Sequence, residues 1–161
     1  VQSNFDITTR NDWYLRVGYN DLWYADERDK TITATLIKGV TNRFQQVGLS
    51  VSTGVSGSEK STFVGPSFTY RLLGKLDLLY TGGIQNRLGV AQQHIVTANY
   101  ELSGTRSFGG RVITTGPDTN VYFFYRNSGG KGTEYYVLMG DPNAEKTVHS
   151  LQVKAVFAFQ T

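Results

Sequence analysis

The run Leu151-Gln-Val-Lys-Ala-Val-Phe-Ala-Phe159 places Leu151, Val153, Ala155, Phe157 and Phe159 on one side of an extended chain. Gln152, Lys154, Val156, Ala158 and Gln160 fall on the other side. Side chains of a β-strand alternate with period two, so one face of this segment is apolar and the other mixed. Its length matches the roughly 9–11 residues with which a tilted strand crosses the hydrocarbon layer of a bilayer. The run is expected to be the closing strand of an antiparallel β-barrel.

The same period recurs through the chain, and no segment carries a helical one. Asn4 to Thr9 reads as a first strand, followed by an Asn11-Asp12 turn. Trp13, Leu15, Val17 and Tyr19 share a face. Leu22 and Tyr24 are out of phase with them, which a β-bulge near Asn20-Asp21 would explain. Asp26 to Lys30 reads as a charged, solvated loop, after which Ile32, Ala34 and Leu36 alternate with Thr31, Thr33 and Thr35. A turn at Thr41-Asn42-Arg43 leads to Val47, Leu49 and Val51, opposite Gly48, Ser50 and Ser52.

Gly54 to Lys60 reads as a second loop. Val64, Pro66, Phe68, Tyr70 and Leu72 then alternate with polar residues, and Pro66 argues for a bulge or a strand end because it lacks a ladder donor. Leu73-Gly74 turns the chain into Leu76, Leu78 and Tyr80. Gln85 to Gly89 forms another loop, and Val96, Ala98, Tyr100 and Leu102 form another face. Beyond Ser103-Gly104 lie a glycine-rich run from Arg106 to Thr115, a Gly116-Pro117-Asp118 turn and two aromatic runs, Val121 to Arg126 and Glu134 to Gly140. Turns spaced this evenly predict an up-and-down meander of about eleven strands. Such a meander tends to close, because an open sheet leaves unpaired edges; an even count is expected of a bacterial barrel.

Composition narrows the function classes. The chain has 161 residues, suited to a single domain, with 18 Gly, 10 Tyr and 9 Phe but only 3 Pro. No apolar run approaches the roughly 18 residues of a transmembrane helix, a test that does not bear on barrels. The absence of cysteine excludes disulfides and thiolate metal sites. A net charge of +3 from scattered residues, without a basic patch or recognition motif, excludes the usual nucleic-acid binders. The chain opens at Val1 without a Met, as a processed or truncated product would.

Alternation alone does not say which face meets water. A soluble lipocalin-like barrel turns its apolar face inward, and a membrane barrel turns it outward. Trp13, Tyr19, Trp23, Tyr70, Tyr80 and Tyr100 sit near strand ends, where a membrane barrel carries its interfacial girdles, and with Phe157 and Phe159 they are the candidate lipid-facing or interfacial aromatics. The apolar-face side chains are mostly large and would crowd the narrow lumen of a soluble barrel. Arg16, Arg71, Asp77, Glu101 and Lys154 occupy the opposite, polar face, expected to line a lumen as ion pairs or as a filter.

Constellations with chemical potential are few. His149-Ser150 are adjacent, so on a strand they point to opposite faces and not toward each other as base and nucleophile. His94 lacks companions for a metal site. Ser128-Gly-Gly-Lys-Gly-Thr133 lacks the strand–loop–helix context of a phosphate loop and reads as a hairpin loop. Asp141-Pro-Asn-Ala-Glu145 lacks the alternating spacing of a calcium loop. No catalytic residue, metal site or cofactor is assigned.

The segments Arg43-Phe-Gln-Gln-Val-Gly-Leu-Ser-Val-Ser-Thr-Gly54, Ser67-Phe-Thr-Tyr-Arg71, Thr119-Asn-Val-Tyr-Phe-Phe-Tyr-Arg126 and Leu151 to Phe159 occur in an order that resembles the C-terminal barrel region of a family of large bacterial outer-membrane proteins of unassigned function. In that family a carbohydrate-binding-like module precedes the barrel; it has no counterpart here. The resemblance covers most of residues 43 to 160. It implies a barrel in the bacterial outer membrane and brings no catalytic residues.

The expected fold is therefore all-β, an antiparallel up-and-down transmembrane β-barrel of about 10–12 strands in one domain or a fragment of a larger chain. The expected role is a porin-like small channel, anchor or scaffold with a polar lumen and no enzymatic activity, touching membrane lipid, a partner protein or a plug, and no nucleic acid. The alternative is a soluble, periplasmic or secreted barrel or sandwich that binds a ligand or protein through its aromatic surface.

Overall fold

A computed structural model describes residues 1–24, 27–42, 44–129 and 133–157. Eleven strands, and no helix among the described residues, follow one another: β1 (Gln2–Thr8), β2 (Trp13–Tyr24), β3 (Glu27–Lys38), β4 (Gln45–Ser56), β5 (Glu59–Leu72), β6 (Leu76–Asn86), β7 (Val90–Ser103), β8 (Arg106–Thr115), β9 (Asp118–Ser128), β10 (Glu134–Met139) and β11 (Leu151–Val156). They form one sheet in chain order, β1 at one end and β11 at the other, and every pairing whose register is resolved is antiparallel. The meander and the strand number are as the turn spacing predicts. The chain divides into two compact units: Val1–Tyr70 with Tyr80–Gln93, and Arg71–Leu79 with His94–Thr161.

In the first unit the strands are longer and the turns tighter than the sequence suggests. β2 pairs with β3 from Trp13↔Lys38 to Tyr24↔Glu27 without interruption, so no bulge falls at Asn20-Asp21. The residue out of place is Asp21, which sits on the Trp13 face between Tyr19 and Trp23 and is held there by Arg28. The same bridge accounts for the strand character of Glu27 to Lys30, expected as loop: charges that pair across a hairpin extend the ladder. Asp26 lies outside the described residues.

The Gly54 to Lys60 loop contracts to a turn at residues 57–58, because β4 and β5 stay in register from Gln45↔Tyr70 to Ser56↔Glu59. Pro66 stands inside that ladder, opposite Leu49, with neither bulge nor strand end. One missing N–H costs one ladder bond, and the register on both sides of it holds the strand. The Gln85 to Gly89 loop is likewise shorter, since β6 continues to Asn86. Asp12 takes a left-handed backbone (φ 64°) at the first turn. Its carboxylate accepts the Thr41 N–H at 2.8 Å, tying the β1–β2 turn to the β3–β4 turn.

In the second unit, Leu73 and Gly74 adopt left-handed φ values of 50° and 69° to turn β5 into β6. The glycine-rich run from Arg106 to Thr115 is β8 over the expected residues. β10 pairs only with the Phe123–Ser128 end of β9. The rest of that edge is covered by residues 140–150. Thr147 donates its N–H to the Thr119 carbonyl at 3.0 Å, and its hydroxyl accepts the Val121 N–H at 3.1 Å. Asn120, 1% exposed, donates to the carbonyls of Asp141 and Ala144 at 2.8 Å each. β11 ends at Val156, three residues before the expected end. Ala158, Phe159 and Gln160 lie outside the described residues.

Candidate membrane belt and polar face

Antiparallel register with period two sorts every side chain of the first unit to one of two faces. Rows of cross-strand neighbours on one face read Trp13–Lys38–Val47–Phe68, Leu15–Leu36–Leu49–Pro66, Val17–Ala34–Val51–Val64 and Tyr19–Ile32–Thr53–Thr62. Phe5 and Ile7 of β1 extend the middle rows opposite Val17 and Leu15. The next row, Asp21–Lys30–Val55–Lys60, is charged, and Trp23 with Arg28 lies beyond it. The other face carries Asp6–Arg16–Thr35–Ser50–Gly65 and Asn4–Gly18–Thr33–Ser52–Phe63.

Exposure is distributed in the reverse of a water-soluble protein. Among the described residues no apolar side chain is buried. The apolar face is open, with Val47 64% and Trp23 69% exposed, while Gly18, Gly48 and Gly65 of the polar face are buried and Thr33, Thr35, Ser50 and Ser52 half-buried. The polar face is lined by small groups that let neighbours approach closely: a Cβ on Gly65 would stand 2.6 Å from the Phe63 ring, which lies across it.

Trp13 and Trp23 share the apolar face ten residues apart. At about 3.3 Å per residue this is about 33 Å along the strand. Each ring carries a cation. Lys38 Nζ lies 5.4 Å from the Trp13 ring centre, and Arg28 Cζ lies 5.2 Å from that of Trp23. Tyr70 is exposed at the end of β5, and Tyr80 stacks on Phe68 at 5.5 Å.

The second unit repeats the arrangement. Phe108–Tyr125–Val137–Val153 and Gly110–Phe123–Met139–Leu151 form apolar rows, with Val153 75% exposed. Tyr100 packs on Phe108 at 5.4 Å between ring centres. A shallow apolar depression, lined by residues such as Val96, Ala98 and Val112, opens on this face where Gly110 offers no side chain. Phe157 is exposed just past β11, and Phe159 lies outside the described residues.

The predicted polar residues fall into separate groups. Arg71, Asp77 and Glu101 come together: Arg71 Nε and Nη2 donate to Asp77 at 2.5 and 2.6 Å, and Nη2 lies 4.0 Å from Glu101. Arg16 joins Asp6 at 2.7 Å, with the Tyr14 hydroxyl donating to the same carboxylate at 2.8 Å. Lys154 stands opposite Tyr136 on the face that holds the Arg126–Glu134–Tyr136 cluster. Asp6, Arg126 and Glu134 were not picked out from the sequence. A count outward from the Asn11-Asp12 turn would have paired Asp6 with Arg16. Glu134 is reached by Arg126 from a diagonal register position, which turn counting does not supply.

Among the described residues, four buried polar atoms, Asn20 Oδ1, Asn99 Oδ1, Arg111 Nε and Asn120 Oδ1, find no protein partner. Polar atoms shielded in this way call for water. His149 is exposed, and the Ser150 hydroxyl donates to the Gly140 carbonyl at 3.0 Å. No cluster of metal-ligating side chains occurs among the described residues.

The fold and the two faces define an antiparallel meander with an exposed apolar face and a polar face that holds the buried glycines, the half-buried Thr and Ser residues and partly exposed ion pairs. Comparison with protein-family models, with curated proteins and with solved structures found no match.

Proposed function

We propose that the chain forms the wall of a bacterial outer-membrane β-barrel, its apolar face against acyl chains and its polar face toward a hydrated, ion-paired interior. In this reading it serves as a small channel, anchor or scaffold and not as an enzyme. The observation that carries the reading is the inverted exposure. A domain of 161 residues without one buried apolar side chain among those described has no source of stability in water comparable to a hydrophobic core. Against lipid, the same face is satisfied, and the meander hydrogen-bonds each strand to its chain neighbours; the outer edges of β1 and β11, not paired with each other among the described residues, are the two that a closed barrel would join.

Two further observations support it. The two tryptophans with cations over them are about 33 Å apart along the strand, and at a barrel tilt near 40° that spacing would be about 25 Å along the normal, near the height of the apolar band of outer-membrane barrels. The buried polar atoms without protein partners lie away from the apolar face, where an interior would hold water. The resemblance to the barrel region of large outer-membrane proteins points the same way.

The test is purification with and without detergent, followed by size measurement and by gel mobility before and after boiling. A membrane barrel is retained in detergent, aggregates without it, and runs at a different mobility until heated. A monodisperse protein in plain buffer would end the proposal and favour the soluble alternative.

A further inference from the structure

At the Trp23 edge of the first unit, the outward face carries three cations and one anion. The anion is already committed. Asp21 accepts two hydrogen bonds from Arg28, at 2.7 and 2.6 Å, and a third from the Tyr19 hydroxyl at 3.1 Å. Lys30 and Lys60 share its row, flanking Val55, and neither forms an ion pair among the described residues. Both are exposed, and the three rows next to them on the band side are uncharged, the next charge being Lys38 beside Trp13 at the opposite edge. Their backbones are two strand spacings apart, about 10 Å. Two four-carbon stems close that gap easily while keeping their ammonium groups at the polar side of an apolar surface.

From this we infer that Lys30 and Lys60 bind the phosphate of an anionic phospholipid headgroup, with Trp23 packing beside its glycerol region. The inference rests on the membrane reading. A lipid is favoured over a free anion because the two ammonium groups stand on an open surface, not in a pocket. Chelation by two mobile chains is then effective only for a phosphate already held in place by acyl chains on the apolar rows. A lysine near an anionic bilayer surface contributes about a five-fold preference, so two give about 25-fold.

The experiment uses the full chain folded in neutral detergent. It is then partitioned between detergent and vesicles of phosphatidylcholine alone, or vesicles that also carry phosphatidylglycerol. The wild type is expected to prefer the phosphatidylglycerol vesicles by tens of fold at low salt, with the preference falling as salt is added. Lys30→Gln/Lys60→Gln is expected to bind both kinds alike, and Lys75→Gln, at a turn of the other unit, is expected to behave as wild type. Lys60→Gln alone, with roughly half the logarithmic preference, serves if the double variant misfolds. An unchanged preference in Lys30→Gln/Lys60→Gln would overturn the site. So would protection of Trp fluorescence from a quencher by inorganic phosphate alone, since the ligand would then be a free anion. Failure to enter phosphatidylcholine vesicles at all would instead remove the membrane reading beneath it.

Discussion

Val51 and Ser50 are neighbours on β4 that point to opposite faces, and the same substitution at each separates the two possible environments. Val51 sits in the row Val17–Ala34–Val51–Val64, two rows from Trp13. That is about 13 Å along the strand and about 10 Å along the normal, close to the middle of a band about 25 Å tall. An arginine there should cost about 2–4 kcal/mol in lipid, a factor of roughly 30 to 1000 in the folding equilibrium. Ser50 faces the polar side opposite Gly65, its hydroxyl 3.1 Å from that of Thr35. Ser50→Arg loses one neutral hydrogen bond, about 1 kcal/mol, and, if the polar face lines a hydrated interior, places its charge in water. The assay is urea unfolding of the chain folded into phosphatidylcholine vesicles, followed by the fluorescence of its 2 tryptophans. If the apolar face met water instead, Val51→Arg would be an ordinary surface change within about 0.5 kcal/mol. A Val51→Arg cost no larger than that of Ser50→Arg would refute the assignment of faces.

Other outcomes follow from particular contacts. Gly65→Ala pushes a methyl group against the Phe63 ring and should destabilise by about 1–3 kcal/mol; the Gly65→Ala/Phe63→Ala pair should cost less than the two single changes added together in the same urea titration. Asn120→Ala removes two hydrogen bonds from a buried side chain, at about 1–3 kcal/mol, and should speed proteolytic cleavage within residues 140–150 as read by mass spectrometry. The Thr41 N–H at Asp12 holds that carboxyl below its usual value of 3.8. A lowered folded value means stability present above the unfolded value and lost as pH falls below about 4 through the folded one. Asp12→Asn, which still accepts the bond but carries no charge, should flatten that acid limb by lowering the neutral-pH stability toward the acid level, leaving the stability at low pH nearly unchanged.

The alternation of Thr31 to Leu36 or Val47 to Ser52 was legible because period two needs no knowledge of partners. Strand ends were less so. Gly54 to Lys60 and Asp26 to Lys30 look like loops by composition, yet ladder pairing and the Asp21–Arg28 bridge carry the strands through most of them. Pro66 misleads for the same reason: its local cost is set against a register fixed by eleven neighbouring pairs between β4 and β5. Leu22 and Tyr24 were read as out of phase, with a bulge near Asn20-Asp21, because the charge of Asp21 on an apolar face looks like an error until its partner on the next strand is known. Of the polar residues, Arg71 and Asp77 flank a visible Leu73-Gly74 turn, so their meeting follows from counting. Glu101 joins them from a different hairpin, through a strand pairing that a single turn does not specify.

The segment at residues 140–150 has one more consequence. β10 is too short to shield the whole of β9, and a bare row of amides there would invite any passing extended chain to dock. Thr147 answers both the Val121 amide and the Thr119 oxygen with a single residue, acting as a stopper made from the molecule's own connection. Recruitment of a foreign strand along that border would first require the connection to lift away, and Asn120 is the latch that resists it.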